Sequence, residues 1–308
     1  MNSTLKVWTG LGLATALMGA GLSGCAGESG EGGEGGEGAE TSVAGEGGEG
    51  EGSEGLGEGG EGEGGEAAGG EGEGGEAASG EGGEGEGGEG EEGISVSDAG
   101  TDPIVYGSAL AIVEAHAIAA RDAYSVGKTE SAAEMFGHPV PEVLADMAPV
   151  FETLGVEDFS GAMNDASAAA LKADNAVGVE SAYQAILTAL GDAAARAPAS
   201  DLSAGAIAAG VTADQIERAA DMYSKAASRD GYGLYLDGYG FYKAAQASFE
   251  RNSGAIETYS SGLHSDIKAA LDLLATAYPG AERPDALDVA QGKLLGASSK
   301  VNLGLPAA

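Results

Sequence analysis

The stretch from Ala26 to Ile94 most constrains what this chain can fold into, because it can hardly fold at all. Of its 69 residues, 32 are Gly and 22 are Glu, with no Lys or Arg among them. Units such as Glu31-Gly32-Gly33-Glu34-Gly35-Gly36-Glu37 recur between Gly27 and Gly93, where Val43 and Leu56 are the only sizeable apolar side chains. So little apolar surface does not offset the conformational entropy lost on ordering, and the like charges repel. The stretch therefore reads as a disordered tether. A neutral flexible chain of this length spans roughly 45 Å end to end, and a fully stretched one about 230 Å. Loose collection of divalent cations is an alternative role for the carboxylates. A selective calcium or magnesium site needs several oxygens in fixed geometry, which nothing in the tract supplies, so a solvated spacer is the simpler reading.

The tract also divides the chain's charge. The 308 residues carry a formal −36, of which the tract holds −22, residues 1–25 hold +1 from Lys6, and residues 95–308 hold −15. A domain so acidic lacks the basic face that neutralises phosphates, which excludes electrostatic nucleic-acid binding. It also argues against attachment to anionic lipid through a basic patch. A single cysteine, Cys25, excludes a disulfide scaffold. The organisation expected is a signal peptide over 1–24, Cys25 and the tether over 25–94, and a folded domain over 95–308.

Lys6 precedes an apolar and small-residue run from Val7 to Leu22, 16 residues long and rich in Gly, too short for a comfortable membrane span. The run ends in Leu22-Ser23-Gly24-Cys25, which resembles the bacterial lipobox, Leu-x-Gly-Cys. That resemblance implies diacylation of the Cys25 thiol, cleavage before it, and acylation of the new amine. Several acyl chains make a durable anchor where one is marginal, so the implied partner is a membrane reached through lipid. The residue after the cysteine is Ala26 rather than Asp, and in a Gram-negative source this implies the outer membrane, with the domain in the periplasm or at the surface. The alternative is an ordinary cleaved signal with a chance cysteine.

Beyond Ile94 the pattern becomes helical. Ala supplies 50 of the last 214 residues, and no convincing alternation of β-branched residues marks a strand. Asp102-Pro103 opens a helix with a capping residue and then Pro, and Gly127 closes it. A short helix follows from Thr129 to Phe136. Pro139 and Pro141 open another, which Pro149 kinks or restarts and Gly155 ends. Further helices are expected over 157–173, 179–196 and, briefly, 201–209. Thr212-Ala213-Asp214-Gln215 fits a capping box opening a long helix to Arg251, with two more near 256–277 and 285–301. Short connections favour antiparallel neighbours, so the fold expected is an all-α antiparallel helical bundle. Ala-lined helices approach closely while burying little area each.

Three places carry residue types suited to chemistry. In the first, Glu134, His138, Glu142 and Asp146 are spaced by four, which would put them on one face of an unbroken helix. Gly137 and Pro139 interrupt it, leaving His138 beside a helix start near Glu142. His116 has no acid three or four residues away, so a site built on His116, His138 and Glu142 requires the first and third helices to face each other. Imidazole and carboxylate donors suit zinc, iron or copper. The alternative is a capping His138 and a packed His116. In the second place, Asp230-Gly231-Tyr232-Gly233-Leu234-Tyr235 repeats as Asp237-Gly238-Tyr239-Gly240-Phe241-Tyr242. Glycines inside a helix cost roughly 0.8–1 kcal/mol each relative to Ala, which suggests close approach by another backbone or a ligand. The expected role is a core stripe with a close helix crossing. Ferric coordination by the tyrosines, or a loop that splits the helix, are alternatives. The third place, His264, reads as a surface histidine.

The Gly137-His138 and Glu142 cluster, in a secreted helical domain, resembles the imelysin-like envelope proteins, helical bundles linked to iron uptake with a Gly-x-His-x-x-Glu motif. Here Gly137 and His138 are adjacent and three residues separate His138 from Glu142, so the spacing departs from that motif. The resemblance implies metal-related work with His138 and Glu142 as the residues carried over. No Gly-x-Ser-x-Gly elbow, phosphate loop, dinucleotide fingerprint or His-Glu-x-x-His motif appears. The expectation is a lipid-anchored envelope protein whose bundle binds a transition metal. A structural adaptor contacting another envelope protein is the second reading, and a metal-dependent hydrolase the third.

Overall fold

The computed structural model describes residues 95–172, 174–229 and 231–305. The lipobox, Cys25 and the Gly/Glu tract lie outside the described residues. Asp102 opens the main body: its carboxylate accepts from the Ile104 N–H at 2.7 Å, and Pro103 takes the first helical position, where no N–H is needed. This begins α2 (Pro103–Ser125), which follows the short α1 (Val96–Ala99). Fifteen of the 23 residues of α2 are buried, including the run Ala109–Val113 and Ala117, Ile118, Ala119 and Ala120. A helix apolar on every side is a core helix, and α2 packs against α3 (Thr129–Gly137), α6 (Ala176–Ala194), α7 (Ala204–Ser228) and α8 (Tyr232–Tyr259). By length and composition α2 would also pass for a membrane span; most of it is buried inside the bundle.

The remaining elements are a π-helical turn Val140–Leu144, α4 (Ala145–Leu154), α5 (Ser160–Ala170), α9 (Ser261–Ala277) and α10 (Gln291–Asn302). Among the described residues the domain is all-α, with no strand ladder. Residue pairs fix the helix directions. Tyr106 donates to the Ala193 carbonyl at 2.8 Å while Arg121 stacks over the Tyr183 ring at 4.5 Å, so α6 runs antiparallel to α2. Glu114 takes a bidentate pair from Arg251 at 2.7 and 2.9 Å, and Asp122 accepts from Tyr239 Oη at 2.7 Å, so α8 is antiparallel to α2 as well. Gly205 abuts Ala255 and Gly238 abuts Met222, which sets α7 antiparallel to α8. The antiparallel bundle expected from the short connections is present.

Helix ends follow local chemistry. Gly127 and Gly155 take the left-handed conformation, φ +80° and +71°, that stops a helix without a Cβ penalty. Ser203 and Ser260 cap α7 and α9 by accepting from Ala206 and Leu263 N–H groups. The capping box expected at Thr212 is not one. Thr212 is fully buried inside α7, where its hydroxyl donates to the Ala208 carbonyl at 2.7 Å and meets Ser248 Oγ of α8 at 2.9 Å. The expected short 201–209 segment and the first half of the expected long helix are therefore one helix. The chain breaks instead around Gly231, the extended residue before α8. Pro149 lies inside α4, which runs through it. The last helix starts at Gln291, later than expected, because residues 280–290 form an irregular segment with several bends.

Tyrosines hold that segment. Tyr232 Oη donates to the Ala281 carbonyl at 2.9 Å and Tyr235 Oη to Gly280 at 2.7 Å, while Tyr223 Oη accepts from the Val289 N–H at 3.0 Å. Buried backbone polar groups need partners, and here side chains supply them.

Candidate metal centre

His116 sits in the middle of α2, 3% exposed. Its Nδ1 lies 2.9 Å from the Ile112 carbonyl one turn earlier. A carbonyl only accepts, so Nδ1 carries the proton and, in the neutral ring, Nε2 keeps its lone pair. Metal-binding histidines are oriented in this way, with the far nitrogen tied to a carbonyl or carboxylate. The Phe241 ring stands edge-on to the imidazole at 5.8 Å and 86°.

His138 closes α3. Its N–H donates to the Glu134 carbonyl at 2.9 Å, and both His138 and Pro139 keep helical dihedrals, so Gly137 and Pro139 do not turn the chain away. With α3 packed on α2, the two imidazole centroids are 6.1 Å apart at 68°. His138 thus ends the second of the expected helices rather than opening the third, and the two histidines meet through the packing of α3 on α2.

The third member is Asp237 of α8. Its Oδ1 lies 3.8 Å from His116 Nε2. One ring nitrogen from each of His116 and His138 and one carboxylate oxygen of Asp237 all lie within 4.8 Å of one another. Glu142 is not among the groups that converge. Its backbone N–H reaches the His138 carbonyl at 3.4 Å, in the π-helical turn that follows α3. The acid facing the histidines comes instead from across the helix interface.

Gly240 brings that acid into place. A Cβ there would lie 2.5 Å from the Ala115 carbonyl oxygen and 3.1 Å from Ala119 Cβ. Without it the α2 and α8 backbones meet, and Asp237, three residues earlier on the same face of α8, is delivered to His116, the neighbour of Ala115. Gly238 serves a second approach, since a Cβ there would collide with the Tyr278 hydroxyl, which donates to the Ala219 carbonyl at 2.8 Å. The core-stripe expectation for this repeat thus describes Gly238 and Gly240, while Gly231 and Gly233 face open space. Of its tyrosines, Tyr232 and Tyr235 have their hydroxyls on backbone carbonyls, and burial pushes both up to about 12. Tyr239 is also raised, by burial and then by its bond to the Asp122 carboxylate. Phenolate ligation is therefore disfavoured at these three.

Asp237 was missed by reasoning on the sequence because its partners are distant in the chain. The available signal was the acid opening each copy of the Gly/Tyr repeat. His264 differs from its expected surface role as well: it is half-buried, with Nε2 2.8 Å from Ser253 Oγ and its ring 4.8 Å from that of Phe249, and it joins α8 to α9.

Two metal–ligand bonds of about 2.1 Å allow their donor atoms to stand up to about 4.2 Å apart. The 3.8 Å between His116 Nε2 and Asp237 Oδ1 fits within that span. Two imidazoles and a carboxylate form a donor set for zinc, iron(II) or copper(II), and lack the thiolate or thioether softness that favours copper(I). Comparison with protein-family models, with curated proteins and with solved structures gives no match for this chain.

Proposed function

We propose that the helical domain is a binding module for a divalent transition metal, carried by a lipid-anchored protein of the cell envelope. The observation that carries the metal reading is the convergence of His116, His138 and Asp237 from three helices. The Nδ1–H bond of His116 to the Ile112 carbonyl supports it, since it fixes the ring with Nε2 on the side of Asp237, 3.8 Å from Oδ1. The anchoring part of the proposal rests on the lipobox-like Leu22-Ser23-Gly24-Cys25 and places the protein at the outer membrane, with the domain in the periplasm or at the surface. The likeness to imelysin-like proteins at Gly137-His138 belongs to the same proposal and is consistent with a metal-related role. The adaptor reading favours histidines that lie apart, and His116 and His138 do not.

The test is metal retention by the full chain, exposed separately to zinc, iron(II) and copper(II), desalted, and measured by elemental analysis. Near-stoichiometric retention of one metal is expected, lost in the His116→Ala/His138→Ala double variant, which keeps the whole Glu tract as an internal control. Asp237→Ala is expected to weaken binding at least about tenfold, equivalent to about 1.4 kcal/mol, and Glu142→Ala to leave it nearly unchanged. Retention no greater in the wild type than in a folded double variant overturns the metal reading and moves the search to an envelope protein partner.

A further inference from the structure

The three donors surround an ion unevenly. His116 is buried in α2, while His138 and Asp237 are each only half-buried, the Asp237 side chain being 19% exposed. Among the described residues, no further His, Cys, Asp or Glu joins the cluster. A divalent ion held by three protein ligands keeps at least one position for an outside donor, as catalytic zinc sites and two-histidine, one-carboxylate iron sites do. The protein donors approach from the helix interior, so the remaining position lies toward the half-buried His138 and Asp237 edge.

Charge selects what fills it. Two neutral imidazoles and one carboxylate leave a divalent ion with a net single positive charge. In a partly desolvated site that charge attracts a monoanion more strongly than it does in water. We propose that the ion at His116, His138 and Asp237 carries an exchangeable coordination position on its solvent side that takes a small monoanion. This rests on the metal-binding reading above and goes beyond it: the site presents the ion to a second ligand rather than enclosing it.

The test uses the full chain loaded with cobalt(II), whose visible bands report its coordination, titrated with azide and then with acetate. Stoichiometric loading is expected, followed by a saturable band shift with azide in the millimolar range and a weaker one with acetate. The His116→Ala/His138→Ala variant is expected to show neither bands nor shift. Cobalt bands that neither anion perturbs overturn the open-position proposal and leave metal binding standing. Failure of the wild-type chain to load cobalt, zinc or copper overturns the metal reading itself and this proposal with it. An anion shift that survives unchanged in a folded double variant assigns the response to another site and also overturns the proposal.

Discussion

The two copies of the Gly/Tyr repeat have the same pattern and different neighbours. In the copy from Gly231 to Tyr235, a Cβ added at Gly231 or Gly233 meets nothing within 4 Å. Its tyrosines reach outward to fasten residues 280 and 281 to the bundle. In the copy from Asp237 to Tyr242, Gly238 and Gly240 are closed over by Tyr278 and by the α2 backbone, and Asp237 faces two histidines. The motif alone does not decide the role. A shift of seven residues, about two turns along α8, moves the same residues from the surface segment to the core crossing.

The largest effect is expected from Gly240→Ala. Its nearest neighbour is a backbone carbonyl, which cannot swing aside, so α2 and α8 must separate at a cost of roughly 1–3 kcal/mol. Metal retention should fall in the same variant, because the separation also withdraws Asp237 from His116. Urea melts combined with metal analysis measure both, and a variant with wild-type stability and retention would show that the crossing is not set by this glycine.

A smaller effect follows from Tyr235→Phe. Loss of its bond to the Gly280 carbonyl should cost about 1 kcal/mol and increase protease cleavage in residues 280–290, with metal retention unchanged. The substitution also has a pH signature. Burial raises Tyr235 from 10.0 to about 12 in the folded protein, so its stabilising contribution is intact below about pH 10 and is lost as pH rises toward 12. Wild-type stability should drop through that window, and Tyr235→Phe should drop less steeply. Parallel slopes in denaturant melts at pH 9, 10 and 11 would remove Tyr235 from the alkaline transition.

The smallest effect has the opposite sign. Gly233→Ala places a methyl group in open space near the start of α8, where Ala is the better helix former, and should stabilise the domain by up to about 1 kcal/mol. Destabilisation there would erase the contrast between the two copies.

The same contrast explains what could be read from the sequence. Asp102-Pro103, Gly127 and Gly155 act within one turn of the chain, and the helix boundaries they imply are those observed. The capping pattern at Thr212 misled because a Thr with Gln three residues on also suits a buried helix face, and only the Ser248 hydroxyl across the interface distinguishes the two. At the candidate site, imidazole chemistry singles out His116 and His138, but helical spacing points to Glu142, whereas the acid that converges with both histidines is Asp237. The relation of Asp237 to His116 depends on where α2 and α8 cross, and local periodicity carries no information about that crossing.

Under the envelope location proposed above, the all-round apolar character of α2 would have a consequence for export of the unfolded chain. An exported chain would present this 23-residue segment to the lipid-facing gate of a translocation channel before any bundle exists to bury it. Each charged residue near the centre of such a segment opposes lateral partitioning by about 2.5–3.5 kcal/mol. Glu114, at the centre of the segment, would oppose partitioning most, with Arg121 and Asp122 adding less from its last turn; in the fold they pair with Arg251, stack on Tyr183 and accept from Tyr239. Neutralising all three would favour stop-transfer of such a chain at α2, before His116, His138 and Asp237 could meet.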